Sequence, residues 1–258
     1  MSNVSGFSTS VIAALSTLQV QSLTTADIVS LNTAQVAALT TAQIAVMETA
    51  DLRALSSNVL QVLTTAQLRA LEASQIAALS TAQVASLTTA QIAAMEVADL
   101  RAFNPTALRA MSAEQFDAVT PAQRGALPTS LIVLLSPAQI ASMNTEDLAA
   151  FTTTQIAVLT PAQVAALTTL QVASLDAGDI RALTTLQFAS LGTGQVAALT
   201  PEQMGAIEIT DLRALGTAAI QSLSAEQLSA LGAGQFAGLT PAQVRALLPA
   251  QISAVPFE

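Results

Sequence analysis

Cysteine, histidine, lysine, tryptophan and tyrosine are all missing from this chain of 258 residues. Without His or Cys, the usual ligands of zinc, copper and haem iron are gone. The same gaps exclude a thiol nucleophile, a Ser–His pair and a Schiff-base lysine. Carboxylate chemistry and oxygen-ligated cations remain. The sequence has no Gly-containing acidic loop with a cation's ligand count. Carboxylate pairs repeated identically along a chain do not make a catalytic cleft. No catalytic, metal or cofactor residue is therefore expected, and the chain does not read as an enzyme.

Charge is scarce as well. Charged residues make up 10% of the chain, the only bases are eight arginines, and the net charge is −9. Arginines scattered singly, with seven Phe as the only aromatics, lack the basic patch and stacking platforms that nucleic acid requires. Long apolar runs are absent too. The block Leu131-Ile132-Val133-Leu134-Leu135 is as long as any, whereas a membrane-crossing helix needs about 20 residues. Residues Met1 to Ser10 show no basic segment followed by an apolar stretch, so no cleavable signal is expected. Residence at the cell surface without such a signal and residence in the cytoplasm both stay open. Yet 52% of residues are hydrophobic and mean hydropathy is +0.58. That hydrophobicity must be consumed by packing, within the chain or between copies.

What the sequence does have is a period of eight. From Phe7, Leu15 and Leu23 to Leu247 and Val255, all 32 residues at this spacing are apolar. A second apolar slot runs Val4, Ile12, Val20 to Ile252, and only Arg124 breaks it. No insertion shifts the frame. The residue after the leucine slot is Ser, Thr, Asn or Asp in 22 of 32 octads, the residue types that cap helix N-termini. Three positions later Gln occurs in 20 of 31 octads and Asp in six, which is capping-box spacing. Seven of nine prolines (Pro105, Pro121, Pro137, Pro161, Pro201, Pro241 and Pro249) follow the cap slot directly. There the proline's missing N–H costs no helical bond. Each octad reads as a helix start.

One long helix is excluded by its interior prolines and by a stripe that advances about 80° per octad. The expected fold is an all-α solenoid, each octad giving about one and a half helical turns and residues 1–258 forming a single array. A β-solenoid is the alternative, but abundant alanine and the lack of period-two alternation oppose it. As a class the octad resembles bacterial short-repeat proteins and α-solenoids.

Three departures from the repeat stand out. Five octads carry an acid or Asn at the cap, Asp three later and, in four of them, Arg two after that. They are Glu48/Asp51/Arg53, Glu96/Asp99/Arg101, Asn144/Asp147, Asp176/Asp179/Arg181 and Glu208/Asp211/Arg213. Their separations are all multiples of sixteen residues. If two octads made one coil, these would fall on one side, as acids suited to helix N-termini or as a ladder of acid–Arg contacts between copies. Residues 124–135 form the second departure, with Arg124 in a core slot, Pro128 in a cap slot and Leu131 in place of Gln. A local bend with an apolar patch, or a partner site, is expected there. Third, the frame already runs at Val4 and Phe7 and continues to Val255 without polar capping repeats. Either Phe7 and Phe257 fold back as plugs, or open ends join copies head to tail. Two functions follow: a structural protein that self-associates into a fibre, and a monomeric scaffold, natural and adhesin-like or engineered, that binds a protein or peptide.

Overall fold

In a computed structural model, which describes residues 4–253, every octad forms one short helix. Among the described residues there are thirty-one α-helices, one 3₁₀ turn at Val4–Gly6 and no strand. The α-helical reading holds and the β-solenoid falls. None of these helices is long and apolar enough to cross a membrane.

The octad Thr40–Met47 shows how the sequence sets the unit. Thr40 stands in extended backbone (φ −76°, ψ 161°) as N-cap of the helix Thr41–Ala45. Its hydroxyl accepts from Gln43 N at 3.2 Å, and Gln43 Oε1 accepts from Thr40 N at 2.7 Å. Two of the N–H groups that a helix start leaves over are thereby satisfied. At Gly192 and Gly232 the cap has no side chain, yet each backbone N–H still donates to its glutamine, Gln195 or Gln235. All seven prolines named above sit in the first helical turn. No described residue has positive φ, so the joints between helices need no glycine and repeat without strain.

The chain divides into two compact units, Met1–Leu127 and Pro128–Glu258. Within each, a helix packs on the one three octads later. In the first unit Ser57–Gln61 packs on Thr81–Ser86, which packs on Pro105–Ala110. In the second, Pro137–Ser142 packs on Pro161–Ala166, and Thr185–Ser190 on Ile209–Ala214. The isoleucine and leucine slots fill the interior: Ile44, Ile76 and Ile92 are 0% exposed, and Leu39 and Leu71 are 4% exposed.

Arg124 occupies its core slot fully buried. Its Nη2 donates to Phe116 O at 3.0 Å and Asp117 O at 2.7 Å, and its guanidinium lies 5.5 Å from the Phe116 ring centroid. Asp117 Oδ1 stands 3.9 Å from Nη2. A charge is tolerated there because main-chain carbonyls, a carboxylate and a ring face surround it. The expected apolar patch nearby is not exposed: Leu131, Ile132 and Leu135 are buried, and Val133 and Leu134 are half-buried.

Candidate functional site

The glutamine slot carries the feature that sequence reasoning missed. Most of its side chains are buried although they are polar; Gln43, Gln163 and Gln171 are each 1% exposed. The Oε1 atom closes the cap of its own helix, while the amide nitrogen reaches another coil. Gln43 Nε2 donates to Ile12 O at 2.9 Å and to Leu15 O at 2.7 Å. Those carbonyls lie 31 and 28 residues earlier, at the C-terminal end of the helix Thr9–Ala14. Helix ends leave carbonyls such as Leu15 O without intrahelical partners, while Ile12 O also accepts from Leu15 N at 3.2 Å and takes the amide as a second donor. One amide thus satisfies a spare N–H on one coil and a spare leucine-slot carbonyl on the next.

The pattern recurs at Gln75 with Ile44 O and Met47 O, and at Gln91 with Leu60 O and Leu63 O. In the second unit Gln171 serves Ile140 O and Met143 O, and Gln243 serves Leu212 O and Leu215 O. A reach of 28 residues is three and a half octads, so each helix start lies over a joint between two helices of the preceding coil. The composition of the slot held the signal: twenty Gln and six Asp but no Glu. Glutamate closes a capping box as well as glutamine does, but its carboxylate cannot donate to a carbonyl.

Helices pack on one another three octads apart, so the two-octad coil that would have put all the acidic octads on one side does not form. The structure gives their side chains opposite neighbours instead. Asp51 Oδ1 accepts from Thr25 Oγ1 at 2.7 Å, and Asp211 Oδ1 from Thr185 Oγ1 at 2.7 Å, each across 26 residues. The arginines reach the other way. Arg101 Nη2 donates to Ala126 O at 2.7 Å and Arg213 Nε to Gly238 O at 2.6 Å, each 25 residues on. Arg69, one slot-mate outside the acidic octads, does the same to Ala94 O. At Gly238 the approach is close enough that a Cβ would collide with Ile209 Cγ2.

Most of the remaining members of the set stay near the surface, and Asp179 is buried. Glu48, Arg53, Arg181 and Glu208 are exposed, and neither Glu48 nor Glu208 caps its helix with a side-chain bond. Glu96 is exposed and its N–H donates to Asp99 Oδ2 at 2.9 Å. Asp176 Oδ1 accepts from Asp179 N at 2.7 Å. Burial, followed by the Asp176 charge, raises the Asp179 carboxyl above its ordinary pKa. Burial likewise raises Asp99, where the nearby Glu96 adds to the effect. Half-buried Asp27 is lowered, because the Thr24 hydroxyl and backbone N–H both donate to it. Among the described residues, no group of three acids gathers closely enough to hold a metal ion. Phe7 is half-buried beside an open hollow of ≈ 460 Å³ that Leu15 and Leu23 also line. Phe257 lies outside the described residues.

No curated protein matches the chain. A family model, the ALTTAQ repeat, matches it eight times: at residues 12–46, 44–81, 65–96, 92–129, 132–161, 140–177, 172–207 and 204–241. The matched segments cover most of the sequence, and the Thr-Ala-Gln core of the motif is the capping segment whose glutamine links the coils. The chain belongs to the ALTTAQ repeat family.

Proposed function

We propose that this protein is a non-catalytic structural element whose copies join head to tail, residues 1–258 acting as one repeat array. The observation that carries this reading is the direction of the contact between coils. Each coil offers glutamine amides to the coil before it and helix-end carbonyls to the coil after it. A body with two unlike, mutually complementary faces associates heterologously, and a heterologous contact that does not close grows into a filament. The exposed Glu48, Arg53, Glu96 and Arg181 are then left for lateral contacts between arrays. The lack of His, Cys and Lys accords with a role without chemistry.

Electron microscopy of purified protein over a hundredfold range of concentration tests this reading. Filaments of constant width that appear as concentration rises are expected. Discrete particles of one size at every concentration would contradict it. A second reading, a monomeric scaffold for a protein or peptide, has one observation in its favour. Leu18, Leu170 and Leu186 project from the helix starts with 75%, 74% and 73% exposure.

A further inference from the structure

At two places the glutamine slot runs for two octads without glutamine or any substitute for it. In the second unit Asp211 and Ala219 occupy consecutive slots, and in the first unit Asp51 and Val59 do. None of the four has an amide to offer a carbonyl. At the usual reach of 28 residues they would serve Leu183 O, Leu191 O, Leu23 O and Leu31 O. Among the described residues no side chain donates to these four carbonyls. The helices concerned also lack a side-chain bond at their caps, Glu48, Ser56, Glu208 and Gly216. Local and inter-coil polar bonds are therefore lost at the same octads.

A third pair, Asp99 and Ala107, is bridged. The cap Asn104 accepts from Ala107 N at 2.8 Å, and its Nδ2 donates to Ala77 O at 3.4 Å and Leu79 O at 3.2 Å. Those are the carbonyls that a glutamine at 107 would meet, as Gln67 meets Ala37 O and Leu39 O. Ser56 and Gly216 are too short to do the same. Apolar packing does not distinguish the gaps, since Leu52, Leu60, Leu212 and Ile220 are all 0% exposed. The polar links left are Asp51 to Thr25, Asp211 to Thr185, and Ser222 Oγ to Thr193 O at 3.2 Å. On either side the second unit is tied as usual, by Gln203 to Leu175 O and by Gln227 to Leu199 O.

We infer that these gaps are opening points built into the array. Residues 208–223 part from the coil before them first, as a slit two octads long, while the ties on either side hold. Residues 48–63 do so in the first unit. Where stability is a sum of nearest-neighbour contacts, local opening begins at the contact with the fewest bonds. Uncapped helices of five and six residues have little to hold them once that contact parts. The inference is independent of whether copies associate.

Hydrogen exchange of the full chain, read by mass spectrometry and corrected for intrinsic rates, tests it. Peptides within 208–223 are expected to exchange about tenfold faster than those of the tied octads 200–207 and 224–231. Ala219→Gln is expected to slow residues 216–223 to the rate of the tied octads. Its precedent is Gln195, which makes all three bonds beside an equally bare cap, Gly192. Gln195→Ala creates a gap at 192–199 and is expected to speed exchange there by a similar factor, so the test stands even if the added glutamine fails to pack. Equal protection of gap and tied octads in the wild type would overturn the inference. Fast exchange at the gap that neither variant alters in kind would overturn it too, because the missing amide would not then be the cause.

Discussion

Two consecutive octads of the second unit, those of Gln171 and Asp179, have nearly the same local helix and unlike links to the rest of the array. Gln171 accepts from Thr168 N at 2.7 Å and donates to Ile140 O at 2.8 Å and Met143 O at 2.7 Å. Asp179 is one carbon shorter and accepts only, so it takes a hydrogen bond from Thr153 and offers nothing to a carbonyl. Gln171 is neutral and its groups are matched. Asp179 holds a charge in a 9% exposed position next to Asp176. The helix is set by the octad alone, whereas cohesion between coils is set by whether the slot can both accept and donate.

That contrast can be widened by substitution. The largest effect is expected at Gln171→Glu, which keeps the cap acceptor but turns an anion towards two carbonyls. A loss of about 3–5 kcal/mol at neutral pH is predicted, to be read from denaturant unfolding. Arg124→Ala comes next: it removes a donor from Asp117 O and from Phe116 O, which keeps Val119 N, and it empties a core slot. About 2–4 kcal/mol is expected to go, visible as a lower midpoint in the same experiment. Asp179→Gln is predicted to run the other way. It supplies the missing donor and removes the buried charge, raising stability by about 1 kcal/mol.

The smallest effect concerns pH. Burial and Asp176 raise the folded pKa of Asp179, so the folded state binds more protons than the unfolded one in the carboxylate range. Stability from this group is therefore greatest at low pH and falls as pH rises from the unfolded value through the raised folded one. Asp179→Asn should remove that fall. Asp27, whose carboxyl is lowered by Thr24, contributes with the opposite sign and loses its share as pH drops. Melting temperatures of Asp179→Asn and Asp27→Asn between pH 3 and 7 would check both slopes, and equal slopes would contradict them.

Much of the fold was legible because each octad carries its own instructions. Cap residue, proline at the first turn and two apolar slots fix the helix start and its buried side within eight residues. The number of octads per coil was not legible, since a repeat period says how long a unit is and not how many units close a turn. The double use of glutamine was half legible: capping-box spacing is local, but the amide's targets lie 28 and 31 residues away. Only the absence of Glu from that slot hinted at a donor's role. Arg124 read as a break in the core because its partners, Phe116 O and Asp117 O, belong to the backbone, which sequence does not display. The acidic octads shared a parity that suggested one common side. Packing between helices three octads apart replaces the two-octad coil, and the side chains of these octads link to coils on either hand.

The central claim is that the slot glutamine binds two coils together and does more than cap a helix. Gln171→Glu and Gln171→Ala, unfolded side by side at pH 7 and pH 3.5, test it most directly. As a mere cap, glutamate would match glutamine and surpass alanine at pH 7, where its charge suits a helix start. The inter-coil role predicts that at pH 7 the Glu variant is the less stable of the two. At pH 3.5 its carboxyl is protonated and its O–H can donate to Ile140 O or Met143 O, so it recovers towards the wild type and passes the Ala variant. A Glu variant as stable as the wild type at pH 7 would contradict the account.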